Sequence, residues 1–198
     1  MSLQPKARFA PEEYLEMERK AAYKSEYHDG EIFAMAGASE SHISIVGNLM
    51  YLLVGQFKGR DCKAYSNDMK VRVTATGLFT YPDVAILCGE ARFDDQHKDI
   101  LLNPRVIIEV LSKSTEANDR GFKFAQFRKL ESFRGYVLVS QREPRVETFH
   151  RQADGKWMFS ECVGMEAVCR LESLDCQILL SDVYDKVTLG EAPAAAPG

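Results

Sequence analysis

The stretch RVIIEVLSKSTEANDRGFKFAQFRKLESFRGYVLVS, Arg105 to Ser140, holds the centre of this fold. Its first seven residues, Arg105 to Leu111, form an almost continuous apolar run, which reads as a central strand buried on both faces. Ser112 to Asp119 is polar and rich in helix-capping residue types. A helix is expected over roughly 117–133, closed near Gly135. Tyr136 to Ser140 is a second apolar run of strand length. Together these make a strand–helix–strand crossover.

The flanks add elements of both kinds. Pro11 opens a short helix with acids in its first turn. Asp29-Gly30 between alternating residues signals a hairpin. Ser39 to about Phe57 reads as a longer helix, capped by Ser39 or Ser41, with Ile43, Val46, Leu49, Met50 and Leu53 as its apolar face. Cys62–Tyr65, Met69–Val73 and Tyr81–Leu87 read as strands on one side of the crossover. Val146–Arg151, Trp157–Cys162 and Ala167–Leu171 continue it as a meander, and a short helix lies within 180–187. The class is α/β, or α+β, with a mixed sheet flanked by helices.

Apolar residues at 45% supply one sizeable core, which excludes disorder for most of the chain. A single domain is expected over residues 9–189, with a flexible N-terminus at 1–8 and a disordered Ala/Pro-rich tail at 190–198. The 25 Lys and Arg against 29 Asp and Glu leave a net charge of −4, which argues against bulk attraction to nucleic acid or anionic membrane but leaves room for a local basic groove. No apolar run approaches a membrane span, and the N-terminus lacks a signal-peptide core, so a cytoplasmic protein is expected. Five cysteines without a CxxC pair argue against a disulfide scaffold and against structural zinc.

Three residues are the candidates for chemistry. Glu109 interrupts the buried strand. A buried carboxylate must be ion-paired, hydrogen-bonded, metal-bound or sited at a strand end, so a structural ion pair explains it as well as a functional site does. Asp83 follows Pro82 at the mouth of another strand, where alone it reads as a turn aspartate. Lys123 shares a helical face with Phe127 and Leu130, and Asp119 lies one turn before it. Snorkelling, or an i,i+4 pair with Asp119, would account for it equally. Taken together, two carboxylates at neighbouring strand mouths can hold Mg²⁺ or Mn²⁺, and an ammonium aimed at the same point can orient water. That set suits metal-assisted phosphodiester hydrolysis.

At these residues the sequence resembles the Uma2 family of restriction-endonuclease-like proteins, within the PD-(D/E)XK nuclease superfamily. The matching segments are Glu12-Glu13-Tyr14-Leu15, Tyr27-His-Asp-Gly-Glu-Ile32, the helix entered through His42, Tyr81-Pro-Asp-Val-Ala-Ile86, Ile108-Glu-Val-Leu-Ser-Lys-Ser-Thr115, Asp119-Arg-Gly-Phe-Lys123 and Tyr136-Val-Leu-Val139. They run in order over roughly residues 8 to 189. The resemblance implies a restriction-endonuclease-like core and a Mg²⁺- or Mn²⁺-dependent DNA endonuclease. It makes Asp83 and Glu109 the metal-binding acids. Two residues after Glu109, where the superfamily signature has lysine, this chain has Leu111. The lysine moves to the following helix as Lys123; Lys113, in the loop after the strand, is its rival. Glu31, His42 and Asp119 are possible accessory residues, with a surface glutamate and a capping histidine as the plainer alternatives for the first two. A homodimer would match the two-fold symmetry of duplex DNA. A non-cleaving nucleic-acid-binding or interaction module on the same fold is the competing reading. A cysteine hydrolase is disfavoured, because no cysteine has a histidine in a recognisable nucleophile context.

Overall fold

The computed structural model describes residues 7–189. The terminal expectations for 1–6 and 190–198 lie outside the described residues. Two sheets carry the fold. The larger has six strands in the order β11 (Trp157–Val163), β10 (Arg145–Arg151), β9 (Gly135–Ser140), β8 (Val106–Leu111), β6 (Val84–Cys88) and β3 (Cys62–Ser66). Its one parallel pair is β8 and β9, in register from Val106↔Gly135 to Leu111↔Ser140. A parallel pair needs a long crossover, and residues 112–134 provide it. The smaller sheet runs β2 (Glu31–Ala34), β1 (Ser25–His28), β5 (Leu78–Thr80), β4 (Lys70–Val73) and β7 (Ile100–Leu101). A separate hairpin pairs β12 (Val168–Leu171) with β13 (Cys176–Leu179).

Every residue of β8 and β9 is buried, as a central pair covered on both faces requires. Alternation divides their side chains. Val106, Ile108, Val110, Val137 and Val139 pack with Ile45, Leu49 and Leu53 of α2 (Glu40–Gln56). Ile107, Leu111, Tyr136 and Leu138 pack on the opposite face with Val71, Val73 and Leu78 of the smaller sheet and with Phe127. Beyond the smaller sheet, Tyr14 of α1 (Pro11–Glu18) stacks on Tyr27.

Ser39 caps α2 by accepting the His42 backbone N–H. The buried stripe of α2 is Ile45, Leu49 and Leu53, and Ile43 stands 61% exposed. At about 100° per residue, Ile43 lies roughly 200° from Ile45 and so faces away from the sheet. The crossover helix also differs from expectation. It comprises α3 (Glu116–Asn118), a π turn at Asp119–Lys123 and α4 (Phe124–Phe127). It stops at Phe127 rather than near Phe133. Leu130 N–H then donates to Phe127 O, and Phe133 N–H to Leu130 O. The three-residue apolar spacing that imitates a helix there belongs to successive turns that lead into β9. Three short strands, β5, β7 and β13, have too few residues for a readable period.

The cysteine reading also needs correction. Cys62 and Cys88 form a disulfide. They face each other in the β3–β6 register, with Cα atoms 4.0 Å apart. That pairing is a product of strand register, which no cysteine spacing reveals. Cys162, Cys169 and Cys176 are free thiols.

Candidate active site

Sheet register explains why two acids meet. Val84 pairs with Ile108 across β6 and β8, so one residue further along Asp83 stands opposite Glu109. Both side chains then project from the same sheet face. Two hydrogen bonds tie them: the Asp83 N–H donates to Glu109 Oε2 at 3.2 Å, and the Val110 N–H to Asp83 Oδ2 at 2.7 Å. Asp83 Oδ1 lies 2.9 Å from His42 Nε2, at the start of α2.

The crossover supplies the cation. Lys123 is 7% exposed, and its Nζ donates to Glu109 Oε1 at 3.2 Å. It also lies 3.3 Å from Asp119 Oδ1 and 3.3 Å from Glu26 Oε1. The π turn brings this about. Its wider winding buries both Asp119 and Lys123, and such turns collect at functional sites. The Tyr136 hydroxyl pins the turn by donating to Asp119 O at 2.9 Å. The His28 ring packs edge-on against Phe122, which seats the β1–β2 hairpin over the same turn.

The structure thus brings together Asp83, Glu109, Lys123, Asp119 and His42. It places Glu31 on β2 opposite His28, on the hairpin face that also carries Glu26. Glu26 is the functional candidate that sequence reasoning missed. It accepts the Thr80 hydroxyl and reaches Lys123 from the smaller sheet. The available signal was alternation: in β1 the side chains beside buried Ser25 and Tyr27 point the other way, toward the crossover.

Three carboxylates, Glu26, Glu109 and Asp119, therefore surround one ammonium, with Asp83 beside Glu109. Burial pushes Glu109 well above the usual carboxylate range; Asp83 and Asp119 add to this and Lys123 opposes it. Burial also raises Asp119, against the pull of Lys123. For Lys123, burial favours the neutral amine, but Glu109, Glu26 and Asp119 outweigh it and hold the ammonium above its ordinary value.

Asp119 Oδ1 is buried and makes no hydrogen bond, its 3.3 Å approach to Nζ lacking the geometry for one. That orphaned acceptor and the excess of acid suit a hard divalent cation, which accepts one or two carboxylates and keeps several waters. Among the described residues, no group of three or more His, Cys, Asp or Glu is arranged to hold a metal ion. The two carboxylates that face each other at the strand mouths are Asp83 and Glu109.

Raised carboxyl values imply a direction of pH dependence. A carboxyl that keeps its proton longer when folded stabilises fully below its unfolded value, about 4.3 for Glu and 3.9 for Asp. That contribution is lost as pH rises through the raised folded value. Metal-free protein should lose stability from this cluster as pH climbs above about 4. Chemical denaturation at a series of pH values, in chelator, reads the slope. Glu109→Gln should flatten it; an equal slope in both proteins would contradict the assignment.

A family model described as "Putative restriction endonuclease", Uma2, matches residues 11–180. The chain belongs to the Uma2 family. An uncharacterized protein of Synechocystis sp., slr1290, is 35% identical over 168 residues, covering 85% of this chain and 86% of that protein. A second one, sll1609, is 34% identical over 155 residues, covering 78% and 88%. Among solved structures, a "putative nuclease belonging to DUF820" from Anabaena variabilis aligns with TM-score 0.73. It is 16% identical and covers 91% of this chain and 99% of that one, a likeness of fold. The Uma2 match begins at α1 and spans all five carboxylate and lysine positions of the cluster. No helix among the described residues is long and apolar enough to cross a membrane.

Proposed function

We propose that this Uma2 protein is a divalent-metal-dependent DNA endonuclease that hydrolyses phosphodiester bonds. The observation that carries this reading is the facing pair Asp83 and Glu109, with the Lys123 ammonium 3.2 Å from Glu109. Asp83 and Glu109 would hold Mg²⁺ or Mn²⁺. Bound there, the cation would supply neutralising charge for phosphate and for the departing oxygen.

The chain's own residues do the rest. Asp83 is held through both oxygens, by Val110 N–H and by His42, so its direction is fixed before substrate arrives. Lys123 positions the attacking water and places fixed positive charge where negative charge grows. Glu26 and Asp119 keep that ammonium charged and aimed. A two-fold dimer would present one such site to each strand of a duplex.

The test is calorimetric titration with Mn²⁺ and Mg²⁺, paired with plasmid cleavage, on wild type and on the Asp83→Ala/Glu109→Ala double variant. Binding and cleavage that both vanish in the double variant support the reading. Cleavage that survives it removes these residues from the chemistry. A wild type that binds duplex DNA but cuts nothing with either cation would favour a non-cleaving module. The full occupation of all four Asp83 and Glu109 oxygens by protein hydrogen bonds and ion pairs is the observation on that side.

A further inference from the structure

Gln141 follows directly after β9, beside the start of α2. Its side chain makes three contacts. Nε2 lies 2.9 Å from the Leu111 carbonyl oxygen and 3.3 Å from His42 Nδ1. Oε1 lies 2.8 Å from the Ser39 hydroxyl.

A backbone carbonyl only accepts, so the atom facing Leu111 must be the amide nitrogen. That settles which way the amide points. The same nitrogen has a second proton, which faces His42 Nδ1, so Nδ1 accepts. Its carbonyl end accepts from Ser39, whose oxygen in turn accepts the His42 backbone N–H at 3.2 Å. The imidazole proton is left on Nε2, and Asp83 Oδ1 lies 2.9 Å from that nitrogen. Asp83 independently requires a donor there. Two neighbours on opposite sides of the ring thus demand one tautomer.

We propose that Gln141 is a positioning residue for Asp83: it holds His42 as the Nε2–H tautomer, with that proton aimed at Asp83 Oδ1. The proton on Nε2 is what orients the carboxylate oxygen. Its consequence for metal binding rests on the nuclease reading; the tautomer does not.

Long-range proton–nitrogen NMR at about pH 8 tests it. Signals of His42 are those lost in His42→Asn. In wild type the proton resides on Nε2. Gln141→Leu removes the donor at Nδ1, so that nitrogen shifts downfield and Mn²⁺ affinity falls about tenfold. Gln141→Glu, close in shape, sets an acceptor against Nδ1 and draws a proton there. A melting curve shows that each variant folds. A wild-type proton on Nδ1 would overturn the proposal. So would nitrogen shifts that stay the same in both folded variants. If wild type bound no metal, the nuclease reading would fail, while the nitrogen shifts would still decide the tautomer.

Discussion

Lys123→Met is expected to cost the metal-free protein about 3–5 kcal/mol of stability at pH 8, although methionine fills nearly the same space. The substitution leaves Glu26, Glu109 and Asp119 facing one another without the ammonium that lies within 3.3 Å of each. Stranded buried charge, rather than a lost bond, accounts for the cost. For a domain of this length the fall in melting temperature is roughly 6–20 °C. The deficit should shrink at pH 5, where the carboxyls take up protons more cheaply than they repel. Denaturant titrations at the two pH values measure it. A loss under about 1 kcal/mol would mean that the ion pairs around the lysine contribute no more than exposed pairs do.

Asp83→Asn should behave the opposite way. Asparagine keeps an oxygen to accept the Val110 N–H but turns its amide nitrogen to the His42 Nε2, so the strand mouth survives at a cost of about 1–3 kcal/mol. On the proposed nuclease reading, what disappears is one of two anionic ligands. Losing a few kcal/mol of charge stabilisation at the reacting phosphate slows cleavage on the order of 10³-fold. Plasmid nicking under single-turnover conditions reads this directly. A variant that is well folded and cuts at the wild-type rate would exclude Asp83 as a ligand. Together the two variants would separate fold from site, with the larger stability loss at the lysine and the larger cleavage loss at the aspartate.

The legible part of this molecule was the part written in continuous runs. Val106–Leu111 and Tyr136–Val139 declare buried strands, and the acid inside the first declares a problem that burial must solve. Lys123 was visible as a cation on an apolar face. Glu26 was not visible, because a hairpin strand of four residues does not say which larger body its outer face will meet. Only the packing of the smaller sheet over the crossover shows that. The disulfide was hidden for a related reason: Cys62 and Cys88 are 26 residues apart, and register alone sets them side by side. The helix end at Phe127 was masked by an apolar spacing that turns and helices share. Gln141 has an ordinary sequence neighbourhood, and its part emerges only when donors and acceptors are counted around His42.

The π turn at Asp119–Lys123 makes the site sensitive to arithmetic. A π turn is an α-helix carrying one residue too many, and here the surplus is what keeps the ammonium over the strand mouths. Remove a single residue from it, and everything on one side rotates by about 100° relative to the other. A sister chain could keep every charged side chain discussed above, lose one neutral position between them, and aim its lysine at solvent. For proteins built this way, loop length is inherited chemistry as much as residue identity is.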